Sequence, residues 1–289
     1  MELISAFIND LMVYDFLQKA LFTSVMVGII AGVIGCFIIL RGMSLMGDAI
    51  SHAVLPGVAA SYMLGINYFY GAVVMGLITS LTIGFVNQNS KLKSDTSIGI
   101  IFSAFLALGI IMFMKAQTAV SLDSILFGNV LMVKDSDMWL TLGIGIFVLA
   151  VILILYKEFL ITSFDPTIAS SYGINANRYH YLLMVLLTLV TVASLQTVGV
   201  ILVVAMLITP AATAYLLTHK LSTMIGLSAL FGTVSSIVGL FLSSTYNLSS
   251  GPVIVLVATS FFVIAFLFAP KQGVVWNFIR KQKAKQRFA

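Results

Sequence analysis

The chain has 289 residues, of which 60% are hydrophobic and only 9% charged, and its mean hydropathy is +1.11. A soluble domain spends about a quarter of its residues on charge, so this composition cannot cover a water-exposed surface. Low-complexity tracts are missing, which excludes a fibrous or disordered chain. The class is an all-α, polytopic integral membrane bundle.

In chain order, residues 1–16 read as an amphipathic lead-in, with Leu3, Phe7, Leu11 and Tyr14 at helical spacing. No basic region precedes it, so a cleaved signal peptide is not expected. Apolar runs follow at 17–40, 48–64, 68–87, 95–115, 137–156, 180–195, 198–218, 222–244 and 252–269. A crossing takes about 20 residues, so eight or nine spans are expected within a permease domain of residues 17–270. The count turns on 180–218, where only the polar break at Ser194, Gln196, Thr197 and Gly199 interrupts the apolar character. Small residues at helical spacing, such as Gly28, Gly32 and Gly35 or Ser235, Ser236 and Gly239, predict close helix packing.

The basic tail, 271–289, carries Lys271, Arg280, Lys281, Lys283, Lys285 and Arg287. The rest of the chain is close to charge-balanced, so the net charge of +5 marks a cytoplasmic tail and not nucleic-acid binding. With nine spans, Arg41, Lys91, Lys93, Lys157, Arg178 and Lys220 share the side of the tail, while Lys19, Lys115 and Lys134 oppose it. The positive-inside rule then places the N-terminus outside and the C-terminus in the cytoplasm. The single cysteine, Cys36, lies within an apolar run and excludes an intrachain disulfide.

Inside the membrane an ionisable side chain is a functional candidate by default. The segment RGMSLMGDAISHAVLPG (41–57) holds Asp48 and His52 one helical turn apart, near Ser44 and Ser51 and just before Pro56. Stacked on one face, they offer an oxygen and a nitrogen to one cation, a set suited to Mn²⁺, Fe²⁺ or Zn²⁺. The pattern is equally compatible with Asp48 as a helix cap and His52 bonded to a backbone carbonyl. His180 and His219, beside Arg178 and Lys220, read as interfacial. Thr209 and Pro210 mark a second irregular zone, either a pathway element or a helix kink. No nucleotide-binding G-x-x-x-x-G-K-[ST] loop, H-E-x-x-H or G-x-S-x-G occurs, so the chain is not expected to be an enzyme. Any ATP hydrolysis must come from another chain.

The 41–57 segment, together with SDTSIGIIFSAFLALGI (94–110), SILFGNVL (124–131), VGVILVVAMLITPAATAYLL (198–217) and the terminal APKQ (269–272), resembles the permease subunit of bacterial manganese/zinc/iron ABC importers, most closely the manganese-type branch. The resemblance runs from about residue 16 to 272. It implies a fold like the permeases of ferric-siderophore and cobalamin importers, less their leading span, and a homodimeric pore in the bacterial plasma membrane. It also implies a pair of cytoplasmic ATPase subunits and an extracellular metal-binding lipoprotein that delivers the cargo. Mn²⁺ is the expected cargo, with Zn²⁺ or Fe²⁺ as alternatives and a stand-alone channel or proton-coupled carrier as the rival of another class. No permanently bound cofactor is implied. Asp48 and His52 correspond to the family's metal-binding pair. Docking to the ATPase is expected along Thr209, Pro210, Tyr215, His219 and Lys220, with FDPTIASSYGI (164–174) as a second candidate.

Overall fold

The computed structural model describes residues 2–116, 130–269 and Gly273. The basic tail, the motif residues 124–129 and most of APKQ lie outside these residues. Among the described residues there are helices and no strands. Eight helices are long and apolar enough to cross a membrane: α2 (Asp15–Leu40), α5 (Tyr68–Asn89), α6 (Ser94–Ala116), α7 (Asp135–Ile154), α10 (Ala176–Val198), α11 (Val200–Leu217), α12 (Leu221–Tyr246) and α13 (Ser250–Phe268). The shorter ones are α1 (Glu2–Val13), α3 (Met46–Ala53), α4 (Leu55–Leu64), α8 (Tyr156–Phe164) and α9 (Pro166–Ser171).

The lead-in is helical as its spacing suggests, and Phe7 packs edge-on against Phe241 at 5.3 Å. It stops at Val13, however. Tyr14 is the half-exposed joint to α2, not a fourth residue of the apolar face.

Paired contacts establish the direction of each long helix. Lys19 Nζ lies 2.7 Å from Asp135, and Ile30 fills the space beside Gly145, so α2 and α7 run parallel. Thr141 donates to the Ala193 carbonyl (3.2 Å), which sets α10 antiparallel to α7. Thr188 donates to Ser80 (3.0 Å) and Tyr181 to Gln88 (3.2 Å), which sets α5 antiparallel to α10. Helices α2 and α5 therefore point the same way, and the chain must cross between them.

That return crossing is α3 and α4 together, the expected span 48–64, delivered as a broken helix. Val54 joins the two halves in α-helical conformation. Pro56 sits in the first turn of α4, where its missing N–H is tolerated, but it removes the donor that would bond the carbonyl of His52. The turns at either end are glycine-dependent. Gly42 (φ 65°) and Gly65 (φ 69°) both occupy the left-handed region that closes a helix C-terminus.

The doubtful stretch 180–218 proves to be two crossings. Gly199, at φ 80° and ψ 167°, takes a backbone conformation restricted to glycine and reverses the chain. Leu202 then approaches Gly251 near one end of the bundle, while Leu207 abuts Gly35 toward the other. With the broken helix counted, the described chain traverses the bundle nine times. Its two ends can be named by residue: the Lys19 end and the Arg41 end.

Helix α2 is the central post. Gly28 faces Gly232 so closely that a Cβ there would sit 2.9 Å from the opposing backbone. Ser228 donates to the Gly32 carbonyl (2.8 Å) and Ser236 to the Ser24 carbonyl (2.9 Å). In lipid, where apolar contact alone gives helices no preference for one another, such close approach and interhelical bonding hold the bundle together.

Candidate metal pathway

Asp48 and His52 do stack on one face of α3, with His52 Nε2 3.5 Å from Asp48 Oδ1. The alternative roles for the pair are not seen among the described residues. The N-cap of α3 is Leu45, with no side-chain cap, and Asp48 lies inside the first turn. His52 bonds to no described carbonyl; its ring meets Phe102 edge-on at 5.7 Å. Both side chains keep solvent access, Asp48 43% and His52 24%. Ser51 is turned away, buried and donating back to the Gly47 carbonyl (2.8 Å).

The pair opens into a cleft of about 500 Å³ between α3 and α11. Its opposite wall is Val200, Ile201, Val204, Ala205, Ile208 and Thr209. An ionisable pair facing a mostly apolar wall is the composition of a binding cleft in which a few polar groups set the chemistry. Among the described residues the cleft is lined by only these two strong donors, and no cluster of three or more His, Cys, Asp or Glu could hold a metal.

The residues expected at an ATPase docking surface divide into two groups. Tyr215, His219 and Lys220 are exposed at the Arg41 end. Thr209 and Pro210 are not: Pro210 is buried within α11, about two turns before its end, and Thr209 lines the cleft. The polar break at 209–210 was visible in the sequence, but its placement beside Asp48 needed the antiparallel crossing of α3 and α11.

At the Arg41 end, the Arg41 guanidinium donates to Thr162 (2.8 Å) and Ser163 (3.0 Å) and lies 3.5 Å from His180 Nδ1. Burial pushes it down to about 10, so it remains charged at neutral pH. It pins the short helix α8 to the ends of α2 and α10, and Phe159 packs beneath on Phe37 (5.7 Å). His180 belongs to this staple and not to the cleft. The 164–174 segment continues as α9, capped by Asp165, which accepts from the N–H groups of Thr167 and Ile168. Ile168 and Tyr172 are exposed there.

Residues 13–269 match the ABC 3 transport family. The chain belongs to that family. It is 65% identical over 271 residues to the manganese transport system membrane protein MntC of Listeria innocua, covering 94% of this chain and 97% of that protein. Its fold superposes on PsaBC from Streptococcus pneumoniae, solved in complex with Fab, with a TM-score of 0.84 at 56% identity, covering 93% and 97% of the two chains. A metal-chelate type ABC transporter in an inward-facing conformation shares the fold at a TM-score of 0.68 and 16% identity, over 86% and 84%. The cleft is thus a feature of an ABC 3 membrane subunit, a multi-pass transport component.

Proposed function

We propose that this chain is the transmembrane permease subunit of an ATP-driven importer of Mn²⁺, working as a homodimer. The observation that carries the proposal is a carboxylate and an imidazole held together on a proline-broken helix, opening into a cleft of a chain 65% identical to a manganese transport protein. Broken helices are where transporters build cargo sites, because the irregular backbone lines a cavity.

Two donors per chain fall short of a first-row metal's needs, and a twofold-related copy would supply two Asp and two His. Such a site, divided between chains, opens when the chains move apart. It holds the ion weakly, as transport requires. Ligation needs His52 neutral and Asp48 ionised. Intrinsic affinity at an Asp/His site favours zinc over manganese, so discrimination must come partly from the protein that delivers the ion.

The Arg41 end, which gathers Arg41, Lys91, Lys93, Lys157, Arg178 and Lys220, is assigned to the cytoplasm by its positive charge. The N-terminus is then outside, the tail inside, and the membrane that of a bacterial cell. A separate pair of ATPase subunits docks at this end. Helix α9 presents exposed Ile168 and Tyr172 directly after α8, which the Arg41 staple holds, and is a candidate contact beside the turn at His219 and Lys220. A metal-binding lipoprotein delivers the ion to the Lys19 end. Rocking of the two permease halves, driven by ATP below, moves access to the site from one side to the other.

The experiment is manganese accumulation in cells expressing the chain with its ATPase and binding protein. Uptake should require all three and stop when ATP is depleted. Uptake unaffected by ATP depletion, or persisting without the ATPase, would overturn the assignment in favour of a channel or carrier.

A further inference from the structure

We infer that Thr209 is a specificity-determining residue of the cargo site, its hydroxyl supplying a hard oxygen donor opposite Asp48 that favours manganese over zinc. The inference rests on the reading of Asp48 and His52 as cargo ligands and adds a residue to it.

Three observations support the inference. Thr209 is the one residue with a polar side chain in the described α11 wall of the cleft; the others there are aliphatic. Its level is set by packing: Gly47 sits against the Leu207 side chain, and α3 and α11 run in opposite directions. Two residues past Leu207, Thr209 stands on the Arg41 side of that contact and is nearer in level to Asp48 than to His52, which faces the apolar part of the wall. The third observation is the state of the hydroxyl. Within these helices serines and threonines commonly return their proton to the carbonyl four residues back, as Ser51 does to Gly47 and Thr213 does to Thr209 itself. The Thr209 hydroxyl makes no hydrogen bond with any described residue. In a bilayer a polar group left without a partner is costly, and here the partner is available from the cleft, as water or a hydrated cation. Pro210 follows directly and removes the donor for the carbonyl of Met206, so one intrahelical bond is missing beside Thr209 although α11 continues through it.

The chemistry gives the direction of the effect. Neutral and anionic oxygens suit Mn²⁺, whereas imidazole suits Zn²⁺. Removing the hydroxyl takes the donor set from a majority of oxygen to an even balance of oxygen and nitrogen. One hydrogen-bond-sized contribution corresponds to roughly a three- to tenfold change in rate.

The test measures Mn²⁺ uptake and its inhibition by Zn²⁺ in cells carrying the complete transporter with Thr209→Val, Thr209→Ser or Asp48→Ala, at matched amounts of assembled protein. Thr209→Val is expected to lower manganese uptake about three- to tenfold and to make zinc a stronger competitor by a similar factor. Thr209→Ser should stay within about twofold of the parent, and Asp48→Ala should abolish uptake. Unchanged uptake and zinc competition in Thr209→Val, with Asp48→Ala inactive, overturns the role of Thr209 alone. Equal losses in the Val and Ser variants without a change in zinc competition also overturn it, since they indicate packing. Normal uptake in Asp48→Ala overturns the underlying site, and the inference with it.

Discussion

Two contacts made along the chain's second and third helices behave oppositely. Where α2 meets α12, glycine faces glycine, serine hydroxyls reach across to backbone carbonyls, and no space remains. Where α3 meets α11, beyond the tight point at Gly47 and Leu207, the helices part into a cleft of about 500 Å³ with an ionisable pair on one wall. Both walls of the cleft carry a proline, Pro56 just beyond α3 and Pro210 within α11. The first contact can only be a fixed seam, because a backbone-to-backbone approach has no alternative packing at similar energy. The second can change width without uncovering a packed core. A transporter needs both, and in this chain they are only a short turn apart in sequence.

Substitutions can sharpen or break this contrast. The largest effect is expected from Gly57→Leu. A Cβ at Gly57 collides with the Gly71 carbonyl oxygen, which no rotamer relieves, so the α4–α5 hairpin cannot close. Little monodisperse protein should be recovered by size exclusion; normal recovery would mean that this seam yields. Next is Arg41→Ala, which removes charge-assisted bonds to Thr162 and Ser163. A loss of about 2 kcal/mol is expected, seen as a lower melting temperature in detergent. Ser228→Ala should cost about 1 kcal/mol through the buried bond to the Gly32 carbonyl, by the same measurement. The smallest effect on stability is expected from Ile201→Ala on the cleft wall. Ile201 is 38% exposed, and the change should stay within about 0.5 kcal/mol. A large destabilisation there would show that the cleft is part of the packed core.

Much of this was legible in the sequence. Charge is so scarce that Lys19 and Arg41 alone mark opposite ends of α2, and the charge pattern agrees with the helix directions. Asp48 and His52 stood out for the same reason, as ionisable groups one turn apart within a span, and the coordinates show them stacked on one face of α3; their part in the cargo path is a proposal. Three features required coordinates. The return crossing looked like an ordinary apolar run because Val54 keeps helical geometry while Pro56 removes a bond that composition does not register. The separation of α10 from α11 depended on the dihedral angles of one glycine, Gly199, in a stretch that only the short polar break at 194–199 interrupts. Thr209 was visible as an irregularity, but that it lines the same cleft as Asp48, 161 positions away in sequence, is a product of tertiary packing.

The most direct test of the account is manganese uptake by the complete transporter carrying Asp48→Ala, with assembly checked by melting temperature and by recovery with the ATPase. Asp48 is 43% exposed and caps no helix, so stability should be unchanged while uptake falls to background. Uptake close to that of the parent, at equal amounts of assembled transporter, would contradict the account.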